Sequence, residues 1–164
     1  MRILVMSDSH STMRYMRLAI DTLKPEAVIH LGDHYDNAET LEEEYSHIRF
    51  HKLPGNCDRY RCPPDTLQII CYCIGGVKFY MTHGHMHGVK SGLYRLIADA
   101  RAMNAQAVLY GHTHIADCHQ EVDLWVINPG ACNSGEGSVA LIETAENTIR
   151  SCKILQLNDL EDKQ

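Results

Sequence analysis

The sequence has no uninterrupted apolar stretch long enough to cross a membrane. Spanning a bilayer takes about 18–20 consecutive apolar residues, and no run among the 164 residues approaches that length. The opening segment MRILVMSDSH holds one arginine and a short apolar run that ends in acidic and polar residues. It predicts a first β-strand rather than a signal peptide. We therefore expect no membrane partner.

Basic residues are also scarce. Lys and Arg together number 15 against 21 Asp and Glu, the net charge is −6, and no Lys/Arg run occurs. A protein that binds the backbone of a nucleic acid needs clustered positive charge. The charge balance therefore argues against a broad nucleic-acid-binding surface and leaves room only for a local basic patch.

No CxxC motif is present, although the chain holds seven cysteines. An odd number of cysteines without such a motif argues against a framework of disulfides. Thiols that stay reduced are typical of the cytoplasm. We expect a cytoplasmic protein whose cysteines are free.

The chain also lacks a linker, an internal repeat and a low-complexity segment. Its length is close to the roughly 150 residues of an average domain, and a chain of this size buries about 70% of its unfolded surface. We predict one domain over residues 1–164. The last residues, about 156–164, are polar and are expected to form a frayed tail.

Apolar runs and helical periodicities alternate along the chain. Strands are predicted at 2–7, 27–31, 48–53, 66–74, 77–82, 107–111, 125–130, 138–143 and 148–155. Helices are predicted at 12–23, with Ser11 as N-cap, at 37–45 and at 90–103. The alternation predicts an α/β fold. We expect a four-layer α/β/β/α sandwich, in which two sheets pack face to face with helices outside.

Polar side chains with metal-binding chemistry gather directly after the predicted strands. They occur in five segments: MSDSH, HLGDHYD, LPGNCD, YMTHGH and LYGHTH. Ligands collect at the carboxyl ends of strands in open α/β sheets, so these five loops are candidates to converge on one point. Each segment alone is a common turn, but five of them are hard to explain as unrelated turns. The candidate donors are Asp8, His10, Asp33, Asn56, His83, His112 and His114.

The donor set contains imidazoles, carboxylates and one amide, and no thiolate. Such donors suit Mn, Fe, Zn, Co or Ni better than they suit a structural zinc ion. Seven donors are too many for one tetrahedral ion and fit two divalent ions that share a carboxylate. Two metals about 3.5–4 Å apart clamp the attacking and leaving oxygens of a phosphoryl transfer, and they bring the pKa of a bound water down towards roughly 7.

The motifs DSH, GDHYD, GNCD, THGH and GHTH, in this order, resemble those of the calcineurin-like metallophosphoesterases. The length and the segments GNCD and NPG are similar to the small prokaryotic, YfcE-like phosphodiesterase branch. The similarity covers roughly residues 2–155. It implies a phosphodiesterase that hydrolyses a small phosphate-ester substrate by in-line attack of a metal-bound hydroxide, with two divalent ions, manganese first among them.

The resemblance also implies a role for each donor. One metal ion would be held by Asp8, His10 and His114. The second ion would be held by Asn56, His83 and His112, and Asp33 would bridge the two. Asp33, Asn56 and His112 are the residues expected to take part in catalysis, with Asn56 also in reach of the phosphate.

Four further residues are candidates for the surroundings of the metals or for substrate contact. In the wider superfamily a histidine often stands where this chain has Cys57, and Asp36 would normally orient it. Without an imidazolium acid an alkoxide leaves poorly and a phenolate leaves well, which predicts better turnover of aryl diesters than of alkyl monoesters. Asp58 is expected behind the ligands or as a turn cap, and His85 near the phosphate or as a plain loop residue.

Two other functions stay open at this point. Related folds cut DNA, so a nuclease is one alternative, against which the acidic charge counts. A metal-binding interaction scaffold resembling the retromer scaffold subunit is the other. The sequence leaves the substrate, the native metal and the oligomeric state open, a homo-oligomer included.

Overall fold

The computed structural model describes residues 1–10 and 12–161, and it contains two five-stranded sheets. The strands are β1 (Arg2–Met6), β2 (Ala27–His30), β3 (Arg49–Lys52), β4 (Ile69–Ile74), β5 (Val77–Thr82), β6 (Ala107–Leu109), β7 (Asp117–Glu121), β8 (Leu124–Asn128), β9 (Ser138–Ala145) and β10 (Thr148–Gln156). The α-helices are α1 (Met13–Leu23), α2 (Tyr35–Glu44), α3 (Tyr94–Ala102) and α4 (Asn158–Glu161), and His85–His87 forms one turn of 3₁₀ helix. Among the described residues, no helix combines the length and apolarity needed to cross a membrane.

The first sheet has the order β10-β9-β1-β2-β3. Strands β1, β2 and β3 run parallel, with Ile3 opposite Ala27 and Val28 opposite Phe50, whereas β9 pairs antiparallel with both β1 and β10. The three parallel strands therefore end at one edge of the sheet, where the loops after them can meet.

The second sheet has the order β4-β5-β6-β8-β7. Strands β5, β6 and β8 are parallel, and the two outer strands are antiparallel to their neighbours. The hairpin between β4 and β5 turns at Gly75 and Gly76, both with positive φ, as the Gly-Gly pair predicts.

The two sheets bury a common apolar layer between them, which confirms the expected arrangement. Ile3 and Ile29 of the first sheet share this layer with Phe79, Leu109 and Ile127 of the second. On the outer face of the first sheet, Leu4 and Val28 pack against Met16 and Ile20 of α1. On the outer face of the second, Tyr80 and Val108 pack against Leu96 and Ala100 of α3. The layers are therefore helix, sheet, sheet and helix.

Three local features differ from the sequence-based expectation. Strand β7 was not predicted, because its sequence DCHQE is polar and forms an edge strand with little burial. Helix α2 begins at Tyr35, two residues before the expected start, after His34 in a left-handed conformation. Helix α3 begins at Tyr94, four residues after the expected start at residue 90. The expected cap Ser11 of helix α1 lies outside the described residues.

The end of the chain is partly structured. Residues Asn158–Glu161 form helix α4, and Leu157 and Leu160 are fully buried in the apolar layer under α1. We expected a frayed tail from about residue 156, but two leucines among polar residues suffice to dock this segment. Residues 162–164 of that expected tail lie outside the described residues.

Candidate metal centre

The loops that follow β1, β2, β3, β5 and β6 carry all seven candidate donors. Strands β1–β3 are parallel in one sheet, and β5 and β6 are parallel in the other. The two sheets face each other, so their carboxyl ends place these loops side by side. Backbone hydrogen bonds cross between the loops, from Asp8 N–H to the Gly32 carbonyl at 3.0 Å and from Gly111 N–H to the His83 carbonyl at 3.0 Å.

Asp8, His10 and His114 form the first group of donors. Their ligand atoms all lie within 4.8 Å of one another. Oδ1 of Asp8 is 3.1 Å from Nε2 of His114, and Nε2 of His114 is 3.2 Å from Nε2 of His10. Three donor atoms of this chemistry facing one point are typical of a metal site.

Asp33, His83, Asn56 and His112 form the second group. Nε2 of His83 lies 3.2 Å from Oδ1 of Asn56 and 3.6 Å from Oδ1 of Asp33. The rings of His83 and His112 are 5.0 Å apart at their centroids. Asp8 also reaches this group, since its carboxylate lies within 4.8 Å of the donor atoms of Asp33 and His83. The two groups are therefore adjacent and share one end of the molecule.

The donor atoms fit a bound cation. Oδ1 of Asp8 is buried and makes no hydrogen bond, which costs free energy unless a positive charge faces it. Nδ1 of His83 lies 2.8 Å from the Leu31 carbonyl, which can only accept, so Nδ1 carries a proton and Nε2 is the nitrogen that faces the site.

The pKa shifts of two donors, Asp33 and His112, also suit the binding of a cation. Burial opposes ionisation of Asp33, but the hydrogen bond from Cys57 N–H at 2.9 Å and the neighbouring His83 outweigh it and lower the pKa of Asp33. Burial, together with His83 and Lys90, lowers the pKa of His112. A carboxylate and a neutral imidazole are the forms that bind metals.

Several donors sit in a backbone conformation that side chains seldom adopt. A left-handed conformation of a non-glycine residue costs of order 1–3 kcal/mol where it is strained and concentrates at functional sites. Among the residues with positive φ are the five donors Asp8, His10, Asp33, His112 and His114, together with His34 beside Asp33.

Two glycines let the backbone approach the carboxylates. A Cβ atom at Gly55 would overlap the carboxylate of Asp33, and one at Gly111 would overlap the side chains of Ser7 and Asp8. The loops GNCD and GHTH can therefore reach the metal centre only with glycine at these positions.

Asp58 does not face the site. It is fully buried, and its two carboxylate oxygens accept four backbone N–H bonds, from Asp33, Gly55, His34 and Tyr35, at 2.7–3.0 Å. It therefore joins the GNCD loop to the GDHYD loop, and it also closes the turn that begins at Gly55.

Asp36 and Cys57 lie beside the donors and are partly exposed. Asp36 pairs with Arg61, Oδ2 to Nη1 at 2.8 Å, and its Oδ1 lies 3.8 Å from Nδ1 of His34. Cys57 is exposed and accepts a hydrogen bond from Nδ2 of Asn56 at 3.4 Å. Desolvation and the Asp33 carboxylate raise the pKa of Cys57, so the group is a neutral thiol and a poor ligand or nucleophile.

His85 lies at the edge of the second group. Its ring centroid is 5.5 Å from that of His83 and 6.1 Å from that of His112. Burial and His83 lower the pKa of His85, which makes it a neutral ring beside the donors.

Other residues support the site without having been singled out in the sequence. Ser7 donates to Oδ2 of Asp8 at 2.6 Å, and Nδ2 of Asn128 donates to the Gly111 carbonyl at 3.2 Å and to Thr113 at 3.0 Å. His30 is fully buried in β2. A serine or asparagine next to a motif gives no distinguishing signal, although Asn128 does stand in the NPG segment already noted.

Comparison with known proteins points to the phosphoesterases. The model of the calcineurin-like phosphoesterase superfamily domain matches residues 1–147. Phosphodiesterase MJ0936 of Methanocaldococcus jannaschii is 31% identical over 172 residues, which cover 92% of this chain and 97% of that protein.

Solved structures show the same likeness. A conserved protein of Streptococcus pneumoniae, described as a predicted phosphoesterase, superposes with a TM-score of 0.76 at 25% identity, covering 96% of this chain and 90% of its own. A single mutant of Vps29 from Entamoeba histolytica superposes with a TM-score of 0.69 at 17% identity, covering 94% of this chain and 98% of its own. The second likeness is one of fold alone.

Proposed function

This chain belongs to the calcineurin-like phosphoesterase superfamily and is a metal-dependent phosphoester hydrolase, and we propose that it hydrolyses phosphodiesters at a two-metal centre. The observation that carries this proposal is the convergence of candidate donors from five loops: five cluster in two groups, Asn56 and His112 lie against His83, and a buried oxygen of Asp8 has no hydrogen bond. The name of the archaeal relative, a phosphodiesterase, supports the diester over the monoester.

In this proposal each group of donors holds one ion. Asp8, His10 and His114 would hold the first, Asn56, His83 and His112 would hold the second, and Asp33 would contribute to both. When bound, two divalent ions such as Mn, or Ni, Co, Fe or Zn, neutralise charge on the phosphoryl oxygens and acidify a water.

The residues of the chain orient these groups and the substrate. The Leu31 carbonyl fixes the ring of His83, and Ser7 and the His112 N–H fix the carboxylate of Asp8. The Asn56 side chain is exposed at the surface of the site, so its amide N–H can donate to a phosphoryl oxygen once its oxygen faces a cation. Such preorganised donors stabilise charge that develops in the transition state.

The site offers no imidazole at position 57 to protonate a leaving group. The neutral thiol of Cys57 is a weak acid with a raised pKa, and Asp36 is engaged with Arg61. Departure of the alcohol therefore depends on its own acidity, which favours aryl over alkyl esters.

The experiment that tests the proposal is hydrolysis of bis-p-nitrophenyl phosphate by the Mn-loaded protein, beside p-nitrophenyl phosphate. Asp33→Asn is expected to abolish turnover of the diester, and Asp123→Asn, in the exposed turn between β7 and β8, is the matched control. Bound metal is counted by mass spectrometry. Two bound metals with no hydrolysis in Mn, Ni, Co or Zn would contradict the proposal.

An interaction scaffold remains the second candidate, favoured only by the likeness in fold to Vps29. The complete donor set argues for the enzyme. Stoichiometric capture of a partner protein by an Asp33→Asn, His112→Ala double variant would favour the scaffold.

All seven cysteines are free, which supports our proposal of a cytoplasmic location.

A further inference from the structure

A groove of about 460 Å³ opens directly beside the candidate metal centre. Asn56 belongs to both the groove and the second group of donors, and His85 lines the groove while its ring lies beside His83 and His112. Most of the other lining residues come from segment 58–68, between β3 and β4. A volume of this size is in the range of small-molecule sites.

The wall formed by segment 58–68 is held in place by its own contacts. The Asp58 carbonyl accepts hydrogen bonds from Arg61 N–H at 2.9 Å and from Sγ of Cys62 at 3.3 Å. The Arg61 side chain pairs with Asp36 of α2 at 2.8 Å, and Thr66 bonds the Pro63 carbonyl through both its N–H and its hydroxyl. The groove is therefore formed before any ligand enters, which lowers the entropic cost of binding.

Some polar atoms that line the groove make no hydrogen bond. Oε1 of Gln68 and Nδ1 of His85 are both buried, and neither has a hydrogen-bond partner. The hydroxyl of Thr66 donates to a carbonyl and keeps its acceptor lone pairs. An unpaired buried acceptor costs about 1–3 kcal/mol, and the terminal amide torsion of a glutamine is soft. A ligand that offers a donor to Gln68 relieves that cost.

The charge of the groove excludes one kind of ligand. Asp58 and Arg59 are its charged lining residues within the described chain. Both oxygens of Asp58 are already occupied by backbone N–H groups, whereas the Arg59 side chain is exposed. The groove therefore exposes the Arg59 guanidinium and no free carboxylate, so it disfavours a positively charged ligand.

From these features we infer that the groove binds one ester arm of the phosphodiester, an uncharged alcohol that donates hydrogen bonds, and that Gln68 selects it. A nucleoside and a sugar both have this chemistry. A choline-like arm, which is cationic and donates no hydrogen bond, does not. The inference rests on the proposed function, because it assumes that the phosphate occupies the metal centre next to Asn56.

The test compares three esters with the same p-nitrophenolate leaving group: bis-p-nitrophenyl phosphate, the p-nitrophenyl ester of thymidine monophosphate, and p-nitrophenyl phosphorylcholine. Each is assayed with the Mn-loaded wild type, Gln68→Ala, Gln68→Glu and Gln120→Ala. Gln120 is an exposed glutamine of β7 and serves as the matched control. The readout is the ratio of kcat/KM between two esters in one preparation, which does not depend on the folded fraction.

For Gln68→Ala we expect the preference for the thymidine ester over the bis ester to fall about tenfold, through KM and not kcat, as loss of one hydrogen bond predicts. Gln68→Glu should raise kcat/KM for the choline ester relative to kcat/KM for the bis ester. Gln120→Ala should change neither ratio. Competition against the bis ester by a nucleoside monophosphate and by a hexose monophosphate then separates the two sources of the arm.

Unchanged ratios in both Gln68 variants, or a wild type that prefers the choline ester, would overturn the inference while leaving the proposed function intact. If the wild type does not cleave the bis ester at all, the proposed function itself has failed, and the result is recognisable because the control variant fails in the same way.

Discussion

The backbone N–H of Asp33 donates a hydrogen bond to Oδ2 of Asp58 at 2.9 Å, so one carboxylate of the candidate metal centre is positioned by a second carboxylate 25 residues away. The same Asp58 side chain accepts hydrogen bonds from the backbone N–H groups of His34, Tyr35 and Gly55. A buried carboxyl group that accepts four N–H bonds has a structural role, because it ties two loops of the candidate site together.

Asp58→Asn should therefore weaken metal binding and lower stability. An amide keeps one acceptor oxygen but turns an NH₂ group towards backbone N–H donors, which leaves buried donors unpaired at about 1–3 kcal/mol each. We expect a loss of about 3 kcal/mol in the free energy of unfolding, measured by urea denaturation without metal. The matched control is Asp65→Asn, an exposed aspartate of the same segment. Equal stability of the two variants would contradict the role given to Asp58.

Cys57→Ser should leave hydrolysis of bis-p-nitrophenyl phosphate within about twofold of the wild type. The neutral thiol is assigned no chemical role, and a hydroxyl of similar size can take its place. For both proteins, glycerol phosphate should be a much poorer substrate than the aryl diester, because an alkoxide leaves poorly without an acid. Loss of diester hydrolysis in Cys57→Ser would show that the thiol takes part, and equal rates on both substrates would show that another acid operates.

Asp33→Asn should remove the stabilisation that metal ions give. Binding to the folded state stabilises by RT ln(1 + [L]/Kd), about 2.7 kcal/mol at a metal concentration of 100 Kd. The wild type should therefore melt at a higher temperature in Mn than in a chelator, while the variant melts alike in both. Without metal the variant should be somewhat less stable than the wild type at neutral pH, because the lowered pKa of Asp33 means that the folded protein favours its ionised form, and an amide cannot carry that charge. A metal-dependent shift of full size in the variant would refute a central position of Asp33 in the site.

Acid should destabilise the metal-free protein in part through His30. Burial lowers the pKa of His30 to about 4, from about 6.5 in the unfolded chain. Between these values the unfolded chain binds a proton that the folded protein does not, so stability falls as the pH drops from 6.5 towards 4 and is unaffected by this group above 6.5. At about 1.4 kcal/mol per pKa unit, the loss is about 3 kcal/mol.

The measurement is urea denaturation in a chelator at several pH values, comparing wild type with His30→Asn. The asparagine can still accept the Gly32 N–H that now meets Nδ1 of His30 at 3.4 Å. The variant should lose less stability than the wild type over this pH range, whereas the exposed-site variant His47→Asn should follow the wild type. Parallel pH curves for wild type and His30→Asn would rule out the assigned pKa.

Much of the fold and the candidate site could be predicted because their signals are local. Continuous apolar runs marked β1 and β2, and the Gly75–Gly76 turn marked the hairpin, since burial on both faces and a tight turn each restrict residue type. Strand β7 gave no such signal, because an exposed edge strand needs no apolar alternation. Helix α4 was missed because a single buried turn of four residues has no periodicity to detect.

The sequence by itself determined the kind of chemistry: carboxylates, imidazoles and an amide placed just after strands, where the topology of an α/β sheet brings strand ends together. Only the tertiary structure decided which polar residues serve that site and which serve the fold. It turned Asp58 inwards to four backbone N–H groups, paired Asp36 with Arg61, and left Oε1 of Gln68 without a hydrogen bond in a groove beside Asn56. The physical reason is that these contacts join loops distant in sequence, and hydrogen bonds from a side chain to a remote backbone leave no local pattern in the chain.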